Sequence, residues 1–163
     1  MMKRTRMRFL GVTACGAALV AAAALALPAS GTAPPGSAFF AKLDGSHEPA
    51  GPGVNDPDGY GTFSGIFNGV RLCYGLQVAK IDTPVAAHIH QAPIGSSGPI
   101  RVTLNKPASG ATGAVAGCTN LTTTLANAIK SNPRGFYVNV HTGPFSNGAI
   151  RGQLFQATAT QDK

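Results

Sequence analysis

Apolar and polar residues alternate along several short segments of the chain, which is the pattern of β-strands with one buried face. In the segment 70–78, for example, Leu72, Tyr74, Leu76 and Val78 fall on one face. The predicted strands are 37–43, 60–67, 70–78, 85–90, 100–105, 136–141 and 149–157. Many short strands separated by Gly, Pro and Asn are typical of an all-β domain, an antiparallel sandwich or barrel.

Turn-forming residues separate the predicted strands. Loops are expected at 49–59, at 91–99 and at 142–148, and along the Gly- and Ala-rich stretch that ends at Cys118. The dipeptide Asn-Gly at 68–69 predicts a two-residue type I′ hairpin turn.

One short helix interrupts the β pattern. Leu121, Leu125 and Ile129 recur at helical spacing, and Asn120 in front of them is the predicted N-cap. The Asn-Pro pair at 132–133 should end the helix, because a residue before proline is displaced from the helical conformation.

The first 31 residues differ in character from the rest. Four basic residues within the first eight positions precede an uncharged, Ala-rich run from Phe9 to Leu27, and small residues follow at 29–33. This order is typical of a secretory signal peptide. Retention as a membrane anchor is the alternative, because the apolar run has about the minimum length for spanning a bilayer.

Removal of that segment leaves a flexible lead-in at 32–37, one domain at 38–158 and a tail at 159–163. Roughly 130 residues are enough for one hydrophobic core. The segment carries four of the 13 basic residues and none of the 6 acidic ones, so the mature chain has a net charge of +3. Without a basic cluster we expect no nucleic-acid partner, and the mature chain has no predicted membrane span.

Two of the three cysteines, Cys73 and Cys118, remain after loss of the signal peptide. A single pair in an oxidising compartment is expected to form a disulfide bond. It would close a loop for which chain entropy predicts about 4 kcal/mol of stabilisation. Two free, buried thiols are the alternative.

Three sequence stretches resemble the CHRD domain, the module named from chordin. These are "AKLDGSHEPAG" at 41–51, "AAHIHQAPIGSSGPIRVTL" at 86–104 and "NPRGFYVNVHTGPFSNGAIRGQL" at 132–154. The resemblance rests on His-x-His with Gly-Pro downstream, then Tyr-x-Asn-x-His and Asn-Gly-x-Ile-Arg-Gly-Gln. The resemblance covers nearly the whole mature chain, about residues 38–156. The same module also occurs as a lone domain in secreted bacterial proteins.

The resemblance implies an immunoglobulin-like β-barrel with a loose likeness to copper/zinc superoxide dismutases. It implies no settled biochemical activity. In chordin the module belongs to an extracellular protein that binds signalling ligands, and transfer of that partner to this chain would be analogy alone.

Three of the four histidines point to a metal site. His88 and His90 lie about 7 Å apart on one face of a strand, close enough to share an ion. His141 lies on the polar face of its own strand. If the two strands are neighbours, three ring nitrogens converge, a ligand set that suits zinc or copper with one open position.

The alternative is a structural or ligand-binding polar cluster. A histidine can bond two backbone groups at once, and the amide of Asn139 and the guanidinium of Arg151 can tie loops to the sheet in the same way. No acidic residue lies within five positions of the three histidines, so Glu48 could support them only through tertiary contact.

These patterns favour a secreted or extracytoplasmic, non-enzymatic binding module with an unknown extracellular partner, free or associated with the cell envelope. We expect the partner to contact the loops at 49–59, 91–99 and 142–148. A small copper or zinc protein is the first alternative. A dismutase-like enzyme is the second and weaker one, since His47 would have to supply a fourth ligand and the bridging histidine and zinc-side aspartate pattern is missing.

Overall fold

The computed structural model describes residues 38–157 of the 163-residue chain. The predicted signal peptide with Cys15, the lead-in at 32–37 and the tail at 159–163 lie outside the described residues. The strands are β1 (Ala38–Asp44), β2 (Tyr60–Asn68), β3 (Arg71–Ala79), β4 (Pro84–Gln91), β5 (Ile100–Leu104), β6 (Thr112–Asn120), β7 (Phe136–Thr142), β8 (Ile150–Gln153) and β9 (Phe155–Gln156). One α-helix, α1 (Thr123–Ser131), lies between β6 and β7, and the segments Gly45–His47 and Pro133–Gly135 form short 3₁₀ turns.

The strands form one antiparallel sheet in the order β5-β4-β7-β8-β1-β2-β3-β6, with β9 added beside β1. The sheet is barrel-like and nearly closed, so the predicted all-β sandwich or barrel with one short helix is confirmed. No helix among the described residues is both long and apolar enough to cross a bilayer.

Alternation along the strands builds the core, as predicted. Leu72, Tyr74, Leu76 and Val78 of β3 are all buried, and β2 shows a regular exposed–buried alternation over nine residues. Burial of one large apolar side chain is worth about 1.5–3 kcal/mol, and the inward residues of the sheet form one continuous cluster. The apolar face of the sheet therefore forms the hydrophobic core.

The helix begins two residues later than the sequence suggests. Thr122 is the N-cap, and its hydroxyl oxygen accepts a hydrogen bond from the backbone N–H of Leu125 at 3.2 Å. The predicted cap, Asn120, is the last residue of β6 and pairs with Arg71, so its backbone already belongs to the sheet. The end at Ser131, before Asn132 and the following proline, is as predicted.

The predicted loop before Cys118 is wrong in its second half, which is strand β6. Four of its nine residues are Gly or Ala, yet all nine pair with β3. Gly113 and Gly117 lie where a Cβ atom would collide with Ser109 and with the Tyr74 ring, so small residues are required there. Because neighbouring groups approach closely, small residues are selected at these positions. Gly and Ala are uncommon in strands, so residue propensities do not predict a strand here.

The hairpin between β2 and β3 uses a different turn from the one predicted. Asn68 pairs with Arg71, which makes Gly69 and Val70 the two loop residues. Of these two, only Gly69 has a positive φ, +61°. A positive φ at the first loop residue alone fits a type II′ turn and excludes type I′.

A β-bulge changes which residues of β5 face the core. Val102 and Leu104 are buried as predicted, whereas Ile100 is 52% exposed. The register between β4 and β5 shifts, so that His90 lies opposite Ile100 while Ile89 lies opposite Val102. The extra residue turns Ile100 away from the core.

The disulfide bond between Cys73 and Cys118 is confirmed. The two residues lie directly opposite each other on β3 and β6. Cys73 occupies the face of β3 opposite Leu72 and Tyr74, as its position in the alternation predicts.

Candidate functional site

The site lies on strands β4 and β7, which are neighbours in the sheet. His88 lies opposite Asn139, and His90 lies opposite Tyr137. His141 follows Asn139 by two residues and therefore shares its face. The intervening residues of both strands are buried in the apolar core. The polar residues therefore occupy the face of the sheet that points away from the core.

The rings of the three histidines on this face lie close together. One ring nitrogen from each lies within 4.8 Å of a ring nitrogen of the other two. The centroid of the His88 ring is 5.5 Å from that of His90 and 5.2 Å from that of His141. The centroids of the His90 and His141 rings are 6.0 Å apart. We refer to His88, His90 and His141 as the histidine cluster.

In His90 and His141, a hydrogen bond to the backbone determines which ring nitrogen carries the proton and which keeps its lone pair. Nδ1 of His90 donates to the carbonyl oxygen of Gly98 at 2.9 Å, and Nδ1 of His141 donates to that of Ser146 at 3.0 Å. A carbonyl oxygen only accepts, so both Nδ1 atoms carry the proton and both Nε2 atoms keep a lone pair. These Nε2 atoms and Nδ1 of His88 are buried and have no hydrogen-bond partner among residues 38–157.

The surroundings hold the cluster in its neutral form. Burial, followed by the nearby rings of His141 and His90, lowers the pKa of His88 to about 4. Burial also lowers the pKa of His90 and of His141, partly offset by their backbone hydrogen bonds. Neutral imidazole is the form that binds metal ions.

A stack of side chains fixes the orientation of His90. Its ring lies parallel to that of Tyr137, with centroids 4.9 Å apart and planes 10° apart. The guanidinium carbon of Arg151, from β8 on the other side of β7, lies 3.5 Å from the centroid of the Tyr137 ring. The hydroxyl oxygen of Tyr137 accepts a hydrogen bond from the N–H of Gly98 at 3.2 Å. Gly98 is therefore held by the same two side chains that stack on each other.

Glu48 is a buried carboxyl beside this face. Burial raises its pKa to about 7, although the positive charge of Arg151 and a hydrogen bond with Asn139 act in the opposite direction. Gly148 lies against the carboxyl group and has a φ of +139°; a Cβ atom at that position would collide with both carboxyl oxygens. A glycine is thus needed for Glu48 to occupy this place.

A pocket of about 420 Å³ lies against two of the three cluster histidines, His90 and His141; His88 is not among the residues that line it. Glu48, His90, Asn139 and His141 form its polar floor, and the three predicted loops supply its rim: Pro49, Ala50, Gly51, Pro52, Val54, Ser97, Gly98, Ser146 and Asn147. The rim is cross-linked, since the side-chain amide of Asn147 donates to the carbonyl of Pro52 at 3.0 Å. The loops that are far apart in the sequence therefore border a single cavity.

Two of the sequence candidates lie apart from this pocket. His47 forms a 3.1 Å ion-pair contact with Asp44, its side chain is 43% exposed, and it is not a member of the histidine cluster. Arg151 lines a neighbouring pocket of about 180 Å³ and donates to the carbonyl of Ser96 at 3.1 Å. It contributes to the site through Tyr137 and Glu48 rather than by facing the cluster.

The donor set fits a transition-metal ion. Three neutral ring nitrogens match the catalytic or transport type of zinc and copper site, which leaves one position open. Around tetrahedral zinc, nitrogens are ~3.4 Å apart, so rotation of the rings would have to bring them closer than the 4.8 Å limit. The carbonyls of Gly98 and Ser146 supply the outer hydrogen bonds that metal-binding histidines need.

Sequence reasoning missed Tyr137 and the two carbonyl groups as parts of the site. The alternation at 136–141 places Tyr137 on the face of Asn139 and His141, which was a usable signal. The carbonyls of Gly98 and Ser146 carried no such signal, because any residue type offers a backbone oxygen and only the loop conformation aims it.

Comparison with known proteins supports the family that the sequence motifs suggest. The family model described as CHRD domain matches residues 39–154, well over half of the chain. No curated protein and no solved structure matches the chain. The matched range runs from the start of β1 to the end of β8 and contains the histidine cluster. The chain therefore belongs to the CHRD domain family.

Proposed function

We propose that this CHRD domain is an exported, non-enzymatic binding module that holds one zinc or copper ion at His88, His90 and His141. Two observations carry the proposal. One ring nitrogen from each histidine lies within 4.8 Å of the others. Each ring also has one buried nitrogen without a hydrogen-bond partner among the described residues. Export is supported by the signal-like first 31 residues and by the disulfide bond, which is typical of oxidising compartments.

A purely structural role accounts for only half of this geometry. The bonds from His90 and His141 to backbone carbonyls tie two loops to the sheet through one nitrogen of each ring. The other nitrogens are buried at a cost of about 1–3 kcal/mol for each unpaired group. An ion would satisfy all three at once, whereas scaffolding leaves them unexplained.

The direct test is the metal content of the protein. Mature protein without a polyhistidine tag is refolded, loaded with zinc or copper, desalted and measured by elemental analysis. We expect about one mole of ion per chain, and replacement of any one cluster histidine by glutamine should weaken affinity by more than the 10–100-fold typical of an outer-shell partner.

His47→Gln is the matched control, because it removes a histidine that lies outside the cluster. It should leave the ion content unchanged. A content below about 0.1 mole per chain after loading would contradict the proposal, and so would equal loss in His47→Gln and in His88→Gln.

A second candidate function is recognition of an extracellular partner by the rim. It is favoured by the observation that the loops at 49–59, 91–99 and 142–148 border one pocket. Immobilised domain should retain a partner from the culture medium of the producing cells. Replacement of 91–99 by a Gly-Ser linker of equal length should abolish that retention, and undiminished retention would contradict recognition by the rim.

A further inference from the structure

Three more buried polar atoms lie beside the histidine cluster without a hydrogen-bond partner in the described part of the chain. They are Oε1 of Glu48, Oδ1 of Asn139 and Nη1 of Arg151. Native proteins leave few such groups unsatisfied. The ion proposed above would satisfy the three ring nitrogens and none of these atoms.

Two of these atoms, those of Glu48 and Asn139, belong to the floor of the same pocket as His90 and His141. Glu48 is 8% exposed and Asn139 is 3% exposed, so neither side chain has bulk water as its main partner. Asn139 lies opposite His88 in the register of β4 and β7. Glu48 and Asn139 therefore line the same cavity as two of the three cluster histidines, and Asn139 is the cross-strand neighbour of the third.

Glu48 is not positioned as a fourth ligand. The group of side chains whose ligand atoms lie within 4.8 Å of one another contains the three histidines and not Glu48. Gly148 on one side and Asn139 on the other restrict movement of its carboxyl group. A molecule that bridges the ion and Glu48 fits this arrangement better than direct coordination does.

The chemistry of the two atoms defines the bridging molecule. An amide oxygen and an ionised carboxylate oxygen both only accept hydrogen bonds, so at a pH above the pKa of Glu48 they select a ligand whose metal-bound atom carries hydrogen. An anion without hydrogen at that atom would place negative charge against two acceptors. We propose that the fourth position of the ion opens into this pocket and takes a small neutral hydrogen-bond donor, held by Glu48 and Asn139, in preference to an anion.

This inference rests on the proposed function, and its test separates the two. Wild-type protein and the Glu48→Gln variant are loaded with Co²⁺, whose visible spectrum reports the number and type of its ligands. Each is titrated at pH 8 with hydroxylamine, a neutral donor, and with azide, an anion. Glu48→Gln keeps the shape of the side chain and removes its charge, while Asp82→Asn removes a carboxylate from an exposed loop as the control.

In the wild-type protein we expect hydroxylamine to bind more tightly than azide. In Glu48→Gln, hydroxylamine affinity should fall by about tenfold or more, as for the loss of one charged hydrogen bond, and azide affinity should rise. Asp82→Asn should behave as wild type.

Two failures are distinguishable. If wild-type protein does not take up Co²⁺ at one ion per chain, the proposed function fails and this inference with it. If both proteins take up Co²⁺ equally but Glu48→Gln retains the wild-type preference for hydroxylamine over azide, the inference is overturned and the metal site stands. Thermal unfolding of the loaded variants shows that each is folded when it is titrated.

Discussion

Each ring of His90 and His141 uses its two nitrogens differently. Nδ1 donates to a backbone carbonyl and orders a loop, and Nε2 is buried without a hydrogen-bond partner among residues 38–157. The structural and the metal-binding interpretation of the sequence are therefore compatible, because they concern different atoms of the same side chain.

Tyr137 supports His90 without reaching the cluster itself, through its stacking and its bond from the N–H of Gly98. Tyr137→Phe keeps the stack and removes that bond. We expect unfolding to become easier by about 1 kcal/mol and metal affinity to fall about tenfold, measured by chemical denaturation and by competition with a chelator.

Tyr74→Phe is the control for this substitution. The Tyr74 hydroxyl oxygen accepts a comparable hydrogen bond from the N–H of Asn105 at 2.7 Å. Tyr74 lies on β3, and no residue of β3 lines the pocket. It should reduce stability to a similar degree and leave metal affinity unchanged. Equal effects of the two variants on metal affinity would argue against a positioning role for Tyr137.

The depressed pKa of His88 predicts how stability depends on pH in ion-free protein. Folded His88 stays neutral down to about pH 4, whereas an unfolded histidine takes up a proton near 6.5, so the unfolded state binds more protons between these values. This contribution lowers stability as the pH falls from 6.5. Glu48 acts in the opposite sense, because its folded pKa of about 7 lies above the ordinary glutamate value of 4.5.

His88→Gln removes the acid-side contribution of His88 and leaves those of His90, His141 and Glu48. In urea unfolding with a chelator present, the variant should lose less stability than wild type between pH 6.5 and pH 5. An identical pH dependence of the two proteins would contradict a buried, neutral His88.

At the scale of single elements, the alternation along the chain predicted eight of the nine strands as seven segments, with β8 and β9 read as one, and it predicted the core face of β3. The exceptions share a physical cause, since each depends on a contact from elsewhere in the chain. Collisions at Gly113 and Gly117 select the small residues of β6, and the bulge opposite His90 turns Ile100 outward. Such contacts leave no periodic signal in the local sequence.

The disulfide bond belongs to the same scale, because it joins β3 to β6. Replacement of both Cys73 and Cys118 by serine should lower the free energy of unfolding by about 4 kcal/mol. Neither strand contributes a residue to the pocket over the histidine cluster, so metal content should not change. Urea unfolding and elemental analysis of the same preparation check both parts, and loss of the ion in this variant would contradict the separation of core and site.

At the scale of the whole molecule, the order of the strands in the sheet creates the site. His88 and His141 are far apart in the sequence, and antiparallel pairing of β4 with β7 places them on adjacent strands of one face. The sequence predicted that His88, His90 and His141 come together if their two strands are neighbours. It could not establish that pairing, since the pattern of β7 is compatible with several neighbours, nor that the loops at 49–59, 91–99 and 142–148 would enclose the same face.

The central claim is that three ring nitrogens of this face share one ion. The most direct measurement is anomalous X-ray diffraction from zinc- or copper-loaded crystals, recorded on both sides of the metal absorption edge. We expect one peak, about 2.0–2.1 Å from Nδ1 of His88 and from Nε2 of both His90 and His141. A fully loaded crystal whose peak lies elsewhere, or in which fewer than three of these nitrogens reach the ion, would contradict it.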